Sequence, residues 1–211
     1  MQQPIIDRNR KAGESVAAAL RARHFDAYYC ADMEEALALA ERMIPVGAEV
    51  TFGGSMTVQD SGLVPRLSDK GCLIFDRGSV PAAERAAFVE KHFFADWFLG
   101  SVNAMTEDGV LYNMDGNGNR VASYIYGPKN VLLLVGMNKV VQNEQAAIAR
   151  VRGLAAPTNA QRFAITTPCQ KTGRCADCKS PDSICATMTT MRLCRPAGRI
   201  HVILVGEGWG F

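Results

Sequence analysis

The run Val131-Leu132-Leu133-Leu134-Val135 constrains this chain more than any other segment. It is a continuous apolar stretch of leucine and β-branched residues, which marks a strand buried on both faces. A strand of that kind needs cover from above and below, and crossover helices supply it in α/β proteins. The rest of the sequence agrees. Short strands are predicted at Phe25–Cys30, Glu49–Phe52, Cys72–Phe75 and Ile200–Val205. Helical patterns lie between them at Asp7–Arg23, from Asp32 to Met43, and at Pro81–Asp96 and Gln142–Leu154. Asp32 suits the N-cap of its helix, with Glu34 and Glu35 near the positive end. Trp97–Met105 and Val110–Met114 read as strands around the turn Glu107-Asp108-Gly109, and Ala155–Asn159 reads as a break. The expected fold is an open, mostly parallel sheet with helices on both faces, in one domain over residues 1–211. In such sheets ligands bind beyond the carboxyl ends of the strands.

Composition narrows the classes further. Of the 211 residues 48% are hydrophobic and 21% charged, and the formal net charge of +2 argues against a nucleic-acid binder or a polybasic membrane protein. The apolar runs are far shorter than the roughly 20 residues that span a bilayer. The polar start, Met1–Arg10, does not resemble a leader, so the cytoplasm is the expected location.

Cysteine placement is the most specific chemical feature. Seven cysteines are present, and an odd number in a chain of this type argues against a disulfide framework. Cys30 and Cys72 fall in apolar, strand-like contexts. Cys169, Cys175, Cys178 and Cys185 lie within 17 residues, spaced C-x5-C-x2-C-x6-C, in a segment from about 164 to 199. Thiolates bind soft and borderline metals, and Gly173, Asp177, Ser180 and Pro181 suit a tight wrap. Only one Cys-x2-Cys pair is present and no histidine, which favours an iron–sulfur cluster of the 4Fe–4S type; a zinc site is the first alternative, and metal-free thiols or disulfides the second. Cys194 is expected to be a buried or free thiol, with a place as an alternative ligand as the other reading. Seven basic residues between Gln161 and Arg199 outnumber Asp177 and Asp182, a setting that suits an anionic centre.

Several loops carry anion-binding chemistry. Gly53-Gly54-Ser55 follows a strand and precedes a helix, and Ser55 and Thr57 offer hydroxyls. Asn119 and Arg120, Lys129, and Asn138-Lys139 flank strands and supply amide or cationic groups. The expected pocket is built from Gly53, Gly54, Ser55, Asn119, Lys129, Asn138 and Lys139, and its ligand is a small carboxylate or phosphate. His24, His92 and His201 are scattered and read as structural or surface residues.

Some of these segments resemble a known family. Thr51–Ser55, Asn103–Gly109, Asn117–Val121, Tyr126–Lys129, Gly136–Lys139 and Arg199–Glu207 are similar to the LUD (lactate-utilization) domain family over nearly the whole chain. The resemblance implies a fold like that of phosphosugar isomerases and CoA transferases. It also implies a link to L-lactate oxidation, in which LUD proteins work with iron–sulfur proteins. The iron–sulfur member of that pathway differs, because its cluster cysteines lie outside the LUD domain. The leading expectation is a redox-linked protein of organic-acid metabolism with a redox protein as partner. The first alternative is a transferase or isomerase for a phosphorylated or CoA-linked metabolite, with a structural zinc and Glu107 or Glu207 as its carboxylate. The second is a noncatalytic ligand-sensing module. Trp209 and Phe211 then serve either as docking groups or as cover for the last strand.

Overall fold

The computed structural model describes residues 1–211. Its centre is a six-stranded sheet in the order β1-β10-β7-β4-β2-β3, every neighbouring pair parallel. The strands are β1 (Asp26–Cys30), β2 (Glu49–Phe52), β3 (Leu73–Asp76), β4 (Trp97–Gly100), β7 (Asn130–Gly136) and β10 (Ile200–Val205). A second, mixed sheet stands beside it, in the order β8-β5-β6-β9. Its strands are β5 (Ala104–Thr106), β6 (Leu111–Asp115), β8 (Val140–Val141) and β9 (Thr187–Met191). The helices are α1 (Gln3–Ala22), α2 (Met33–Met43), α3 (Met56–Ser61), α4 (Leu63–Asp69), α5 (Arg85–His92), α6 (Asn119–Ile125), α7 (Glu144–Arg150), α8 (Ala156–Ala160) and α9 (Pro168–Thr172).

The apolar run that predicted a two-sided strand is the middle of β7. Its residues alternate between two cores, as strand geometry requires. Leu132 and Leu134 join Ala36, Leu37 and Ala40 of α2 and Leu63 and Leu67 of α4. Val131, Leu133 and Val135 join Val16, Ala17 and Leu20 of α1 and Tyr124 of α6. All five β7 residues have zero exposure, and each such side chain contributes about 1.5–3 kcal/mol through burial. Helices therefore cover both faces. The Asp32 cap forms as read: its carboxylate accepts from the Glu35 amide at 2.9 Å.

Three local readings need correction. Trp97–Met105 is not one strand. The chain leaves the parallel sheet after Gly100 and enters the second sheet at Ala104, so β4 and β5 belong to different sheets. Gly100 marks the crossing, because a Cβ there would lie 2.2 Å from the Tyr124 hydroxyl. That hydroxyl donates to the Ser101 carbonyl at 2.7 Å and holds the bend. Ala155–Asn159 is not a break. A π-helical turn over Val151–Ala155 joins α7 to α8, and Pro157 falls in the first turn of α8, where its missing donor is tolerated. Pro81–Asp96 is helical only in part, with α5 confined to Arg85–His92 behind a 3₁₀ turn. No helix is long and apolar enough to cross a membrane.

Candidate functional site

A cleft of about 370 Å³ opens beyond the carboxyl ends of three adjacent strands, β7, β4 and β2. Each strand delivers one part of the floor. From the end of β2 come Gly53, Gly54, Ser55 and Thr57; from the end of β4 comes Ser101; and Lys139 arrives from the turn after β7. The second sheet adds Asp115, and α6 adds Asn119 and Arg120. A Cβ at Gly53 or Gly54 would meet nothing closer than 3.7 Å, so both glycines leave open cleft space rather than relieve a clash.

Lys139 is the central group. It is only 2% exposed. Its Nζ donates to Thr57 Oγ1 and to Ser101 Oγ, both at 2.9 Å. No carboxylate partners it. Burial, followed by the neighbouring Arg150 and Arg120 guanidinium groups, lowers its pKa from the ordinary lysine value to about 7. Buried ammonium groups are normally paired, so this one stands out.

Arg120, by contrast, is held on every side. It pairs with Asp115 at 3.3 Å and donates to Asn113 Oδ1, Asn103 Oδ1 and the carbonyls of Ser101 and Met114. Arg162 donates to the Gly54 carbonyl at 2.8 Å and to Asn159 Oδ1 at 3.1 Å. Arg77, at the end of β3, also lines the cleft and makes no ion pair or side-chain hydrogen bond. Three guanidinium groups and the partly charged Lys139 thus face the cleft against one carboxylate, Asp115, which Arg120 already engages.

Five of the seven expected pocket residues line the cleft: Gly53, Gly54, Ser55, Asn119 and Lys139. Lys129 does not. It precedes β7, so it lies at the amino end of the sheet, paired with Asp96 at 2.7 Å. Asn138 points to the C-terminus instead, accepting from the Trp209 amide and donating to the Gly210 carbonyl. Neither candidate carboxylate reaches the cleft. Glu107 is exposed on the β5–β6 turn, which Asp108 ties to Arg23 near the end of α1. Glu207 accepts from the Trp209 indole at 3.0 Å and from the Met33 amide at 3.3 Å. Ser101, Asp115, Arg77 and the cleft-facing role of Arg162 were missed in the sequence. For Ser101, Asp115 and Arg77 the position at a strand end was the available indication, but the crossing between the two sheets hid Ser101; Arg162 follows α8 and had no such signal. Trp209 packs against the core, and Phe211 lines the cleft.

The cysteine segment forms one wall. Phe163, Ile165 and Ile184 line the cleft, and Ile184 precedes Cys185. From Ala164 to Ala186 only Thr167 is buried. The segment therefore lacks a core of its own, and short stretches without one need another tie. All seven cysteines are free thiols. Burial pushes the Cys185 thiol up to about 11, and Cys169, Cys175 and Cys178 add to the rise, which places the four within electrostatic reach. The Asp177 amide donates to Cys175 Sγ at 3.5 Å, and the Thr167 hydroxyl lies 3.4 Å from Cys169 Sγ. These donors suit anionic sulfur. No group of three or more His, Cys, Asp or Glu side chains is drawn together to hold one ion. The donor set suits a tetrathiolate centre in kind and number, while its thiols stand apart. Cys194 is a core residue with zero exposure, donating to the Pro196 carbonyl at 3.2 Å.

Parallel sheet and two-sided helical cover define an α/β protein, and it carries a cationic cleft over three strand ends. A family model described as the LUD domain matches residues 13–205, and the chain belongs to that family. No curated protein matches it. Among solved structures, it is similar to a DUF162 family protein from Deinococcus radiodurans, with a TM-score of 0.55 and 12% identity, covering 93% of this chain and 98% of that one. At that identity the likeness establishes a shared fold.

Proposed function

We propose that this protein binds a small organic acid of the lactate type in the cleft, as part of a redox-linked step of organic-acid metabolism. The carrying observation is the charge of the cleft: the guanidinium groups of Arg77, Arg120 and Arg162 against Asp115 alone, with Lys139 only partly charged near neutral pH. An anionic ligand supplies the missing counter-charge. Arg77 and Arg162 are the groups with donors to spare, and guanidinium groups suit carboxylates through paired hydrogen bonds. Family membership supports the metabolic setting, since the family takes its name from lactate utilization.

In this reading Cys169, Cys175, Cys178 and Cys185 hold an iron–sulfur cluster. Such a cluster, when bound, accepts and donates single electrons. The chain's own contribution is to seat it in the cleft wall. Lys171, Arg174 and Lys179 lie among the cysteines and offset the negative charge of four thiolates. A redox protein is the expected partner. The uncored segment also suits structural zinc, so metal content decides between them.

The test has two parts. Protein prepared without oxygen is assayed for iron, acid-labile sulfide and a charge-transfer band; zinc alone would replace the cluster with a structural site. Calorimetry with L-lactate, pyruvate and phosphate measures binding, and Arg77→Ala and Arg162→Ala weaken it. Absence of binding by all three anions sinks the organic-acid reading.

A further inference from the structure

The hydrogen-bond directions around Lys139 carry a more specific reading of this cleft, and it rests on the organic-acid proposal above. Ser101 Oγ donates its proton to the Leu134 carbonyl at 2.6 Å. Thr57 Oγ1 donates to the Trp209 carbonyl at 3.3 Å. A hydroxyl has one proton to give. Both hydroxyls must therefore accept from Lys139 Nζ, and two of the nitrogen's N–H groups are committed to them. One tetrahedral position remains, on a side chain that lines the cleft together with Ser101 and Thr57. Space on another side is closed, since a Cβ added to Gly210 would lie 3.2 Å from Nζ and 2.4 Å from Thr57 Oγ1.

We propose that Lys139 is a nucleophile that forms an imine with the carbonyl carbon of a 2-oxo acid bound in the cleft. Desolvated lysines beside other cations are activated in this way. The charged groups around Nζ are Arg120 and Arg150, both cationic, and neither a carboxylate nor a thiol contributes. Burial and these neighbours leave about half of the amine neutral near pH 7, and in that form the remaining position carries a lone pair. A neutral amine gains little from a carboxylate and much from an electrophilic carbon. Arg77 and Arg162, elsewhere on the lining, are left to hold the carboxylate. The ligand class that satisfies both is a carboxylate with an adjacent carbonyl.

The step balances without another reactant. The lone pair forms the C–N bond, and the carbonyl π pair moves to oxygen, which takes one proton from nitrogen to give a carbinolamine. The hydroxyl then leaves as water with the second nitrogen proton, and C=N forms. Ser101 and Thr57 orient the nitrogen for attack by accepting its two N–H groups, and each of these hydrogen bonds is given up as its proton transfers.

The experiment uses the full chain with pyruvate and sodium cyanoborohydride, which delivers hydride to an imine carbon. Intact mass is expected to rise by the mass of pyruvic acid less one oxygen, with peptide mapping placing the adduct on Lys139. L-Lactate, which has a hydroxyl in place of the ketone, gives no adduct. Lys139→Arg and Lys139→Met lose it, while circular dichroism reports whether each variant is folded. If one variant fails to fold, the mapped site in the unmutated chain decides. Pyruvate binding by calorimetry without an adduct at Lys139 overturns the imine and leaves the organic-acid reading standing. An adduct spread over surface lysines overturns it equally. No binding of either acid and no adduct overturns both.

Discussion

The floor and the cysteine-bearing wall of the cleft are built on opposite principles. Thr57, Ser101, Asp115 and Lys139 on the floor are each less than 9% exposed, and the hydrogen bonds of all four are made within the protein. Across the wall, from Ala164 to Ala186, one residue is buried, and most side-chain bonds are local turns such as Thr172 with Arg174 and Ser180 with Asp182. Core packing positions the floor. In the proposed function, a centre held by the four thiols positions the wall. The two regions should therefore respond to different perturbations, and each expectation below separates them.

The largest effect is expected at Lys139. Its folded pKa of about 7 lies below the ordinary lysine value, so the unfolded chain binds more protons between about pH 7 and the unfolded value. Stability of the unmodified protein therefore rises with pH across that window. The cost of burying the ammonium is present in full below about pH 7 and vanishes once both states are neutral. Its size is on the order of 5 kcal/mol. Lys139→Met removes the slope and stabilises most at low pH. Urea melts at about pH 6 and about pH 9 measure this; parallel pH slopes for the two proteins would break the account of the floor.

Asp115→Ala comes next. Asp115 is the carboxylate opposite Arg120, and it also accepts from the amides of Asn117 and Gly118. Removing one partner of a mostly buried pair costs about 3–5 kcal/mol. The loss is expected in the same urea melts. Cys175→Ser, at the exposed cysteine, should leave the midpoint of the metal-free protein within about 0.5 kcal/mol of unmodified. Similar losses in both variants would erase the distinction between floor and wall.

The sequence exposed these two regions to different degrees. Both limits of β2 and β10 were legible because apolar runs end sharply at Gly53 and Gly206. The cysteine spacing was legible because it is local. Lys139 was recognised from its place after a buried strand, and Lys129 was misplaced although the same rule excludes it: a residue before a parallel strand sits at the wrong end of the sheet. Ser101 was hidden because the apolar pattern of Trp97–Met105 continues through a change of sheet. The donor directions at Lys139 join residues 57, 101, 134, 139 and 209, and no periodicity reports contacts so remote in sequence.

Metal removal should act on the wall alone. Lys171, Arg174 and Lys179 are exposed tryptic sites in the uncored segment. A chelator that strips the thiols is expected to speed cleavage there, because proteolysis tracks local opening. The thermal midpoint of the parallel-sheet core should change little. Cleavage rates that are the same with and without metal would mean that protein contacts alone order the segment.

The smallest effect tests that possibility directly. Arg152, in the π-helical turn, reaches Asp177 at 2.6 Å and is the ion pair linking the cysteine segment to the body. Its partners are 42% and 84% exposed, so water and salt screen the attraction. Exposed pairs contribute about 0–1 kcal/mol. Arg152→Ala should therefore leave the urea midpoint nearly unchanged and raise the tryptic rate only modestly, and only in the metal-free protein. With the thiols occupied, the pair has nothing left to hold. A large rise in the metal-loaded protein would assign the ordering of the wall to this ion pair rather than to the cysteines, and the contrast with the floor would have to be redrawn around Asp177.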